Sequence, residues 1–259
     1  MADALLRIDG LTKRFGGVVA SDAISLAIQP GELHAIIGPN GAGKSTLIGQ
    51  LTGELAPDSG SVSFAGRDIT ALPVHQRSAL GLARSFQITS LFLDFTTLDN
   101  VALAVQAHAG HSFHFWRNAR ADPALREPAR AALAQVGLAD RAEALCANLS
   151  HGEHRALEIA IALATRPSML LLDEPMAGMG PDESVRMVRT LMELKRTLTI
   201  LLIEHDMEAV FALADRITVL VYGRVIASDT PAAIRANEEV RKAYLGAPDE
   251  QPSEQVAHG

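Results

Sequence analysis

"GPNGAGKST" (residues 38–46) lies between an apolar run, "ELHAIIG" (32–38), and a helix-forming stretch, "KSTLIGQLTGE" (44–54). Strand, glycine-rich loop and helix in that order are the setting in which the pattern G-x-x-x-x-G-K-[ST] acts as a phosphate-binding loop. Its glycines let the backbone curl so that successive N–H groups point at one anion. The residues expected to line a nucleotide are Gly38, Asn40, Gly41, Ala42, Gly43, Lys44, Ser45 and Thr46. Lys44 is expected to reach the β- and γ-phosphates, and the Ser45 hydroxyl to bind Mg²⁺. A chance glycine turn is the alternative, and the flanking strand and helix weigh against it.

Outward from this loop the texture alternates. "LLRIDGLTKRF" (5–15), "VASDAISLAIQ" (19–29) and "GSVSFAGRDI" (60–69) read as strands. From about residue 97 to 166 the chain is Ala-rich and helical in period. "PALREPARAALAQVGL" (123–138) carries Pro near its start and Gly near its end, the usual punctuation of a helix. "MLLLDEP" (169–175), "LTILLIEH" (198–205) and "ITVLVYG" (217–223) are short apolar runs that read as buried parallel strands. A last helix is expected over "PAAIRANEEVRKAYLG" (231–246), followed by a polar, aperiodic tail (247–259) expected to be disordered. The predicted architecture is α/β. It has a P-loop NTPase core with a mostly parallel sheet, an N-terminal antiparallel β subdomain and an inserted helical subdomain. One domain spans 1–246, with its core in 1–96 and 167–246.

The 259 residues carry a formal net charge of -7, which argues against binding to nucleic-acid backbones. A single cysteine, Cys146, excludes an internal disulfide and fits a reducing compartment. None of the apolar runs approaches the roughly 20 residues of a membrane span. The start, "MADALLRIDG", lacks the basic and apolar segments of a signal peptide. The expected location is the cytoplasm, with membrane attachment only through partners.

Further candidate residues sit at strand ends, where ligands collect in open α/β sheets. Asp173 is placed as the Mg²⁺-side carboxylate, and Glu174 as the general base for an attacking water. A solvated acidic turn is the bland reading of this pair. His205 can contact a γ-phosphate, and a satisfied strand-end histidine is its alternative. Gln87, in "SFQ", can touch Mg²⁺ or water. Phe15, in "KRFGG", can stack on adenine or simply pack in the core. "LSHGEHR" (149–155) reads as a helix start able to hold an anion, a second phosphate-binding stretch in one chain. His108, His111 and His114 lack the companions of a metal site and are read as packing, or facing a membrane partner.

In order, the aromatic loop, "GPNGAGKST", "FQ", "LSHGE", "LLLDEP" and "IEH" resemble the ATP-binding subunits of ABC transporters, from Leu5 to Gly246. "LEIA", "DEPMAGM", "LIEHDM" and "AYLG" are most similar to branched-chain amino acid uptake ATPases, with urea-type uptake ATPases the nearest rival. The resemblance implies an ATP hydrolase with Mg²⁺ that powers an importer. Its permease subunits, a second ATPase subunit and an external solute-binding protein lie on other chains. It also implies head-to-tail pairing, in which Ser150, Gly152 and Glu153 of one subunit cap the γ-phosphate held by the other. A soluble ABC-type ATPase acting on nucleic acid or ribosomes is the alternative of another class. Two stretches depart from the family pattern. His151 and Glu153 replace the usual Gly and Gln of the signature, and Glu153 is expected to point away or bond a backbone N–H or ribose. Gly180 stands where the family commonly has an aspartate.

Overall fold

The computed structural model describes residues 4–85, 91–108 and 122–245. The expected tail (247–259), Gln87, His111 and His114 lie outside the described residues.

The strands are Leu6–Phe15 (β1), Val18–Ile28 (β2), Leu33–Ile37 (β3), Ser59–Phe64 (β4), Arg67–Asp68 (β5), Leu82–Arg84 (β6), Met169–Asp173 (β7), Thr199–Ile203 (β8), Arg216–Val221 (β9) and Arg224–Asp229 (β10). The helices are Lys44–Thr52 (α1), Val74–Ala79 (α2), Thr97–His108 (α3), Pro123–Gln135 (α4), His151–Leu163 (α5), Pro181–Leu194 (α6), Met207–Leu213 (α7), Pro231–Ala236 (α8) and Glu238–Val240 (α9).

Alternation along the early strands produces a sheet with one dry face. In β1, Leu6 and Ile8 are buried while Arg7 and Asp9 are exposed. It pairs antiparallel with β2 and β4, giving a four-stranded sheet in the order β2-β1-β4-β5. The second sheet has six strands, β10-β9-β3-β8-β7-β6, all parallel except the β9–β10 hairpin. Every residue of β3, β7 and β8 is buried, as expected for parallel strands covered on both faces.

Period-two geometry splits each central strand between two cores. Met169 and Leu171 face α1 and the antiparallel sheet, joining Leu47, Ile48, Leu51, Ile8 and Phe64. Leu170 and Leu172 face the other way, onto a cluster built from α3 to α7. The phosphate-loop helix α1 is thus clamped between two sheets. Helices α3, α4 and α5 contact one another pairwise, and their apolar faces run on into the sheet.

Local sequence explains where helices begin and stop. Asp122 caps α4 by accepting from the Ala124 N–H at 3.0 Å, Pro123 opens it, and Gly137 beyond its end has φ 76°. The long final helix expected from sequence is broken. Asn237 is extended (φ -73°, ψ 120°) and its side chain accepts from the N–H groups of Glu239 and Val240, restarting the chain as α9. Asparagine favours this competing local bond over continued helix. No helix among the described residues is long and apolar enough to cross a membrane.

Candidate nucleotide-binding site

The loop after β3 turns sharply into α1. Gly43 has φ 99°, and a Cβ there would collide with the Ala20 carbonyl oxygen, so only glycine fits. The loop is braced from the far end of the chain, because the Gly223 N–H donates to the Ala42 carbonyl at 2.9 Å. Lys44 arches back over it, donating to the carbonyls of Gly38 (2.6 Å) and Pro39 (3.1 Å). Burial lowers the Lys44 pKa from the usual lysine value, opposed by the charges of Glu174 and Asp173. Gly38, Asn40, Gly41 and Ala42 form the turn itself, and Ser45 and Thr46 lie in the first turn of α1.

Asp173 ends β7, buried. Its Oδ2 receives Arg84 Nη2 at 3.1 Å, and Arg84 Nη1 reaches Glu54 at 2.7 Å. Burial nevertheless raises the Asp173 carboxyl above its ordinary range, with Glu174 adding to the shift and Arg84 and Lys44 opposing it. Glu174 follows with φ 49°, a strained conformation for a residue with a side chain. Its N–H donates to the Ile203 carbonyl at 2.9 Å, tying the end of β7 to the end of β8. There His205 places Nδ1 4.0 Å from Glu174 Oε1. Lys44, Asp173, Glu174 and His205 therefore gather at the carboxyl end of the parallel sheet. Phe15, at the tip of the β1–β2 hairpin, is 51 % exposed, with Lys13 Nζ 5.8 Å from its ring centroid. It is open to stacking rather than used in the core.

The second stretch sits apart from this group. Ser150 caps α5 in a reciprocal box: its Oγ accepts from the Glu153 N–H (3.2 Å), and Glu153 Oε2 accepts from the Ser150 N–H (2.8 Å). Glu153 also pairs with Arg141 at 3.0 Å. Its carboxylate bonds a backbone N–H, one of the outcomes expected from sequence. His151 Nε2 donates to the Ala177 carbonyl at 3.0 Å, joining the start of α5 to the loop after Glu174. Gly180 is extended and precedes Pro181 at the start of α6. Ser150, Gly152 and Glu153 line a cavity of about 550 Å³ with Glu183 and Arg186, and no phosphate-loop residue lines it.

Three side chains escaped sequence reasoning. Arg84 clamps Asp173. Glu204, 1 % exposed, accepts from the N–H groups of Met176 (2.9 Å) and His205 (3.0 Å). Glu183 bonds Ser150. Only Glu204 had a local signal, as a carboxylate ending an apolar strand.

Known proteins carry the same plan. A family model described as "ABC transporter" matches residues 21–177, and one described as "Branched-chain amino acid ATP-binding cassette transporter" matches 224–250. The high-affinity branched-chain amino acid transport ATP-binding protein LivG of Salmonella typhimurium is 38 % identical over 255 residues, 95 % of this chain and 99 % of the relative. BraF of Pseudomonas aeruginosa, with the same description, is 37 % identical over 95 % of this chain and 99 % of its own. The crystal structure of MJ1267 in its ADP conformation, an ATP-binding cassette of an ABC transporter, superposes with TM-score 0.83 at 30 % identity, covering 94 % of this chain and 99 % of that one. The chain belongs to the ABC transporter family and is one of its ATP-binding, ATP-hydrolysing cassettes.

Proposed function

We propose that this cassette powers import of branched-chain or related amino acids, held at the inner face of the membrane by permease subunits. The observation that carries this is near end-to-end similarity to LivG and BraF, with the branched-chain model matching residues 224–250. Those names favour amino acids over a urea-type cargo. One ABC ATPase domain spans 1–246, with residues about 97–166 as its helical part.

The site residues then divide the work. Lys44 exchanges its two carbonyl partners for β- and γ-phosphate oxygens, while the loop N–H groups from Gly38 to Thr46 hold the rest. Phe15 stacks on adenine. Glu174, beside Lys44 and His205, takes the proton from the attacking water, and His205 bonds the γ-phosphate. Mg²⁺ fits here. The donors are hard oxygens, the Ser45 hydroxyl and the Asp173 carboxylate; the Gln87 amide, outside the described residues, is the further donor expected from sequence. Among the described residues no cluster of three or more His, Cys, Asp or Glu could cage a metal alone. Held by these residues, Mg²⁺ would supply positive charge against that of the phosphates. Ser150, Gly152 and Glu153 complete the site of a second ATPase subunit, since a helix start with a serine cap receives an anion.

The test uses the tagged chain, its co-purified permease subunits and an external binding protein, reconstituted in vesicles. ATP should drive accumulation of labelled leucine. Glu174→Gln should keep ATP affinity and lose turnover by about 10²-fold or more. An ATP-consuming vesicle that takes up no branched-chain amino acid would sink the cargo assignment. A Glu174→Gln complex with near-native turnover would sink the base.

A further inference from the structure

The donors at the start of α5 are already taken within the chain. Ser150 Oγ donates to Glu183 Oε1 at 2.9 Å, and the Gly152 N–H donates to the same oxygen at 3.2 Å. The other oxygen, Oε2, accepts from the Gly180 N–H at 3.4 Å. A helix start leaves N–H groups unpaired at the positive end of its dipole, so an anion is favoured there. In the free subunit that anion is a carboxylate from the first turn of α6. Its bonds to Ser150 and to the backbone hold the Glu183 carboxyl below the usual range, so it stays charged at neutral pH.

We propose that Glu183 is a built-in competitor for the γ-phosphate at the signature: it occupies Ser150 and Gly152 in the free subunit and raises the ATP concentration needed to close two cassettes around nucleotide. The proposal rests on the reading of "LSHGE" as the cap of another subunit's γ-phosphate. One hydroxyl proton and one N–H cannot serve a carboxylate and a phosphate together, and two anions at that spacing repel. Closure therefore requires Glu183 to leave. It has somewhere to go, because Arg186 lies three residues along α6, on the same helix face, and lines the same cavity. His151, bonded to Ala177, keeps the start of α5 against the neighbouring loop, so displacement falls on the side chain rather than on the helix.

A purely structural role for Glu183, pinning α6 to α5, makes the opposite prediction. Removing a pin weakens closure, whereas removing a competitor strengthens it. The full-length chain is prepared as Glu174→Gln, alone and combined with Glu183→Ala, Glu183→Gln or Ser150→Arg. Association is followed by light scattering on a sizing column against rising MgATP, and ADP affinity of the monomer is measured alongside. Adding Glu183→Ala should lower the ATP midpoint of association by about threefold to tenfold, the factor that applies if the vacated signature is populated about a third to a tenth of the time. Glu183→Gln, neutral but still able to accept, should shift it the same way by less, and it carries the comparison if the alanine variant does not fold. ADP affinity should not change. A midpoint that is unchanged or raised, or no association at any ATP concentration, overturns the competitor. Ser150→Arg separates the two ideas. If it associates as well as its parent, the trans cap itself is wrong. If it blocks association while Glu183→Ala has no effect, only the competitor falls.

Discussion

A single buried carboxylate, Glu204, sets the spacing between the loop after β7 and the loop after β8, because it accepts from Met176 on one and His205 on the other. Glu204→Ala leaves three backbone donors, the N–H groups of Met176, His205 and Asp206, without their acceptor, which should cost about 3 kcal/mol of stability. The same change frees His205 from its position near Glu174, so kcat should fall more than ATP affinity. Urea unfolding with steady-state kinetics checks both, and stability within about 0.5 kcal/mol of the parent would contradict the first. Asp173 behaves in the opposite sense. Burial raises its folded-state pKa above the unfolded value, so folding takes up a proton between the two, and stability falls as pH rises through that window. At neutral pH the charged form destabilises the fold. Asp173→Asn should therefore raise the thermal midpoint while removing ATPase activity, and calorimetry showing a lower midpoint would refute this. The gathering of Lys44, Asp173 and Glu174 was legible because each ends or follows a strand in a short motif. Arg84 and Glu183 were not, because their meaning lies in partners 89 and 33 positions away, and Glu204 showed only its place at a strand end, not its bond to Met176, 28 positions away.

Helix α1 owes its far end to one side chain from another element. Arg77, 2 % exposed, donates to the carbonyls of Gln50 and Leu51 in the last turn of α1, and to those of Thr70 and Leu72. Terminal carbonyls are the groups a helix cannot satisfy itself, and a guanidinium fork reaches several at once. Arg77→Met should lower stability by about 3 kcal/mol or more. Arg77→Lys should recover little of it, since an ammonium cannot span four carbonyls. Chemical unfolding of both variants decides, and a lysine variant equal to the parent would show that charge alone is enough. Sequence reading does well with elements whose signals are local. The strand–loop–helix at residues 32–54 and the Pro-to-Gly span of α4 needed only their own residues. It failed at the last helix, where Asn237 bonds its own backbone; it passed over α2, too short to show a period; and it read residues 60–69 as one strand where a turn at Ala65 and Gly66 folds β5 back on β4.

At the scale of the whole molecule, the phosphate loop and the signature face different groups of residues, and two dead subunits should therefore complement each other. Under the proposed roles, Lys44→Ala would remove the phosphate grip and Ser150→Arg would block the cap on the partner's site, so each alone should have ATPase activity near background. In a mixed pair one site carries both defects and the other neither. Mixing equal amounts should restore a fraction of activity, at most about a quarter of the parent's if partners are chosen at random and single sites work alone. Cross-linked mixed pairs that stay inactive would count against the arrangement. The sheet order has a separate consequence for how the molecule is made. Strand β3, which launches the phosphate loop, lies between β8 and β9, and the loop's Ala42 is held by Gly223. A nascent chain leaving the ribosome has its loop sequence early but lacks both flanking strands and that brace until nearly all of it has been translated. Long-range parallel pairing of this kind forms slowly. ATP capture should thus begin only near the end of synthesis, so that prematurely terminated chains neither hold nucleotide nor compete for a place in the transporter.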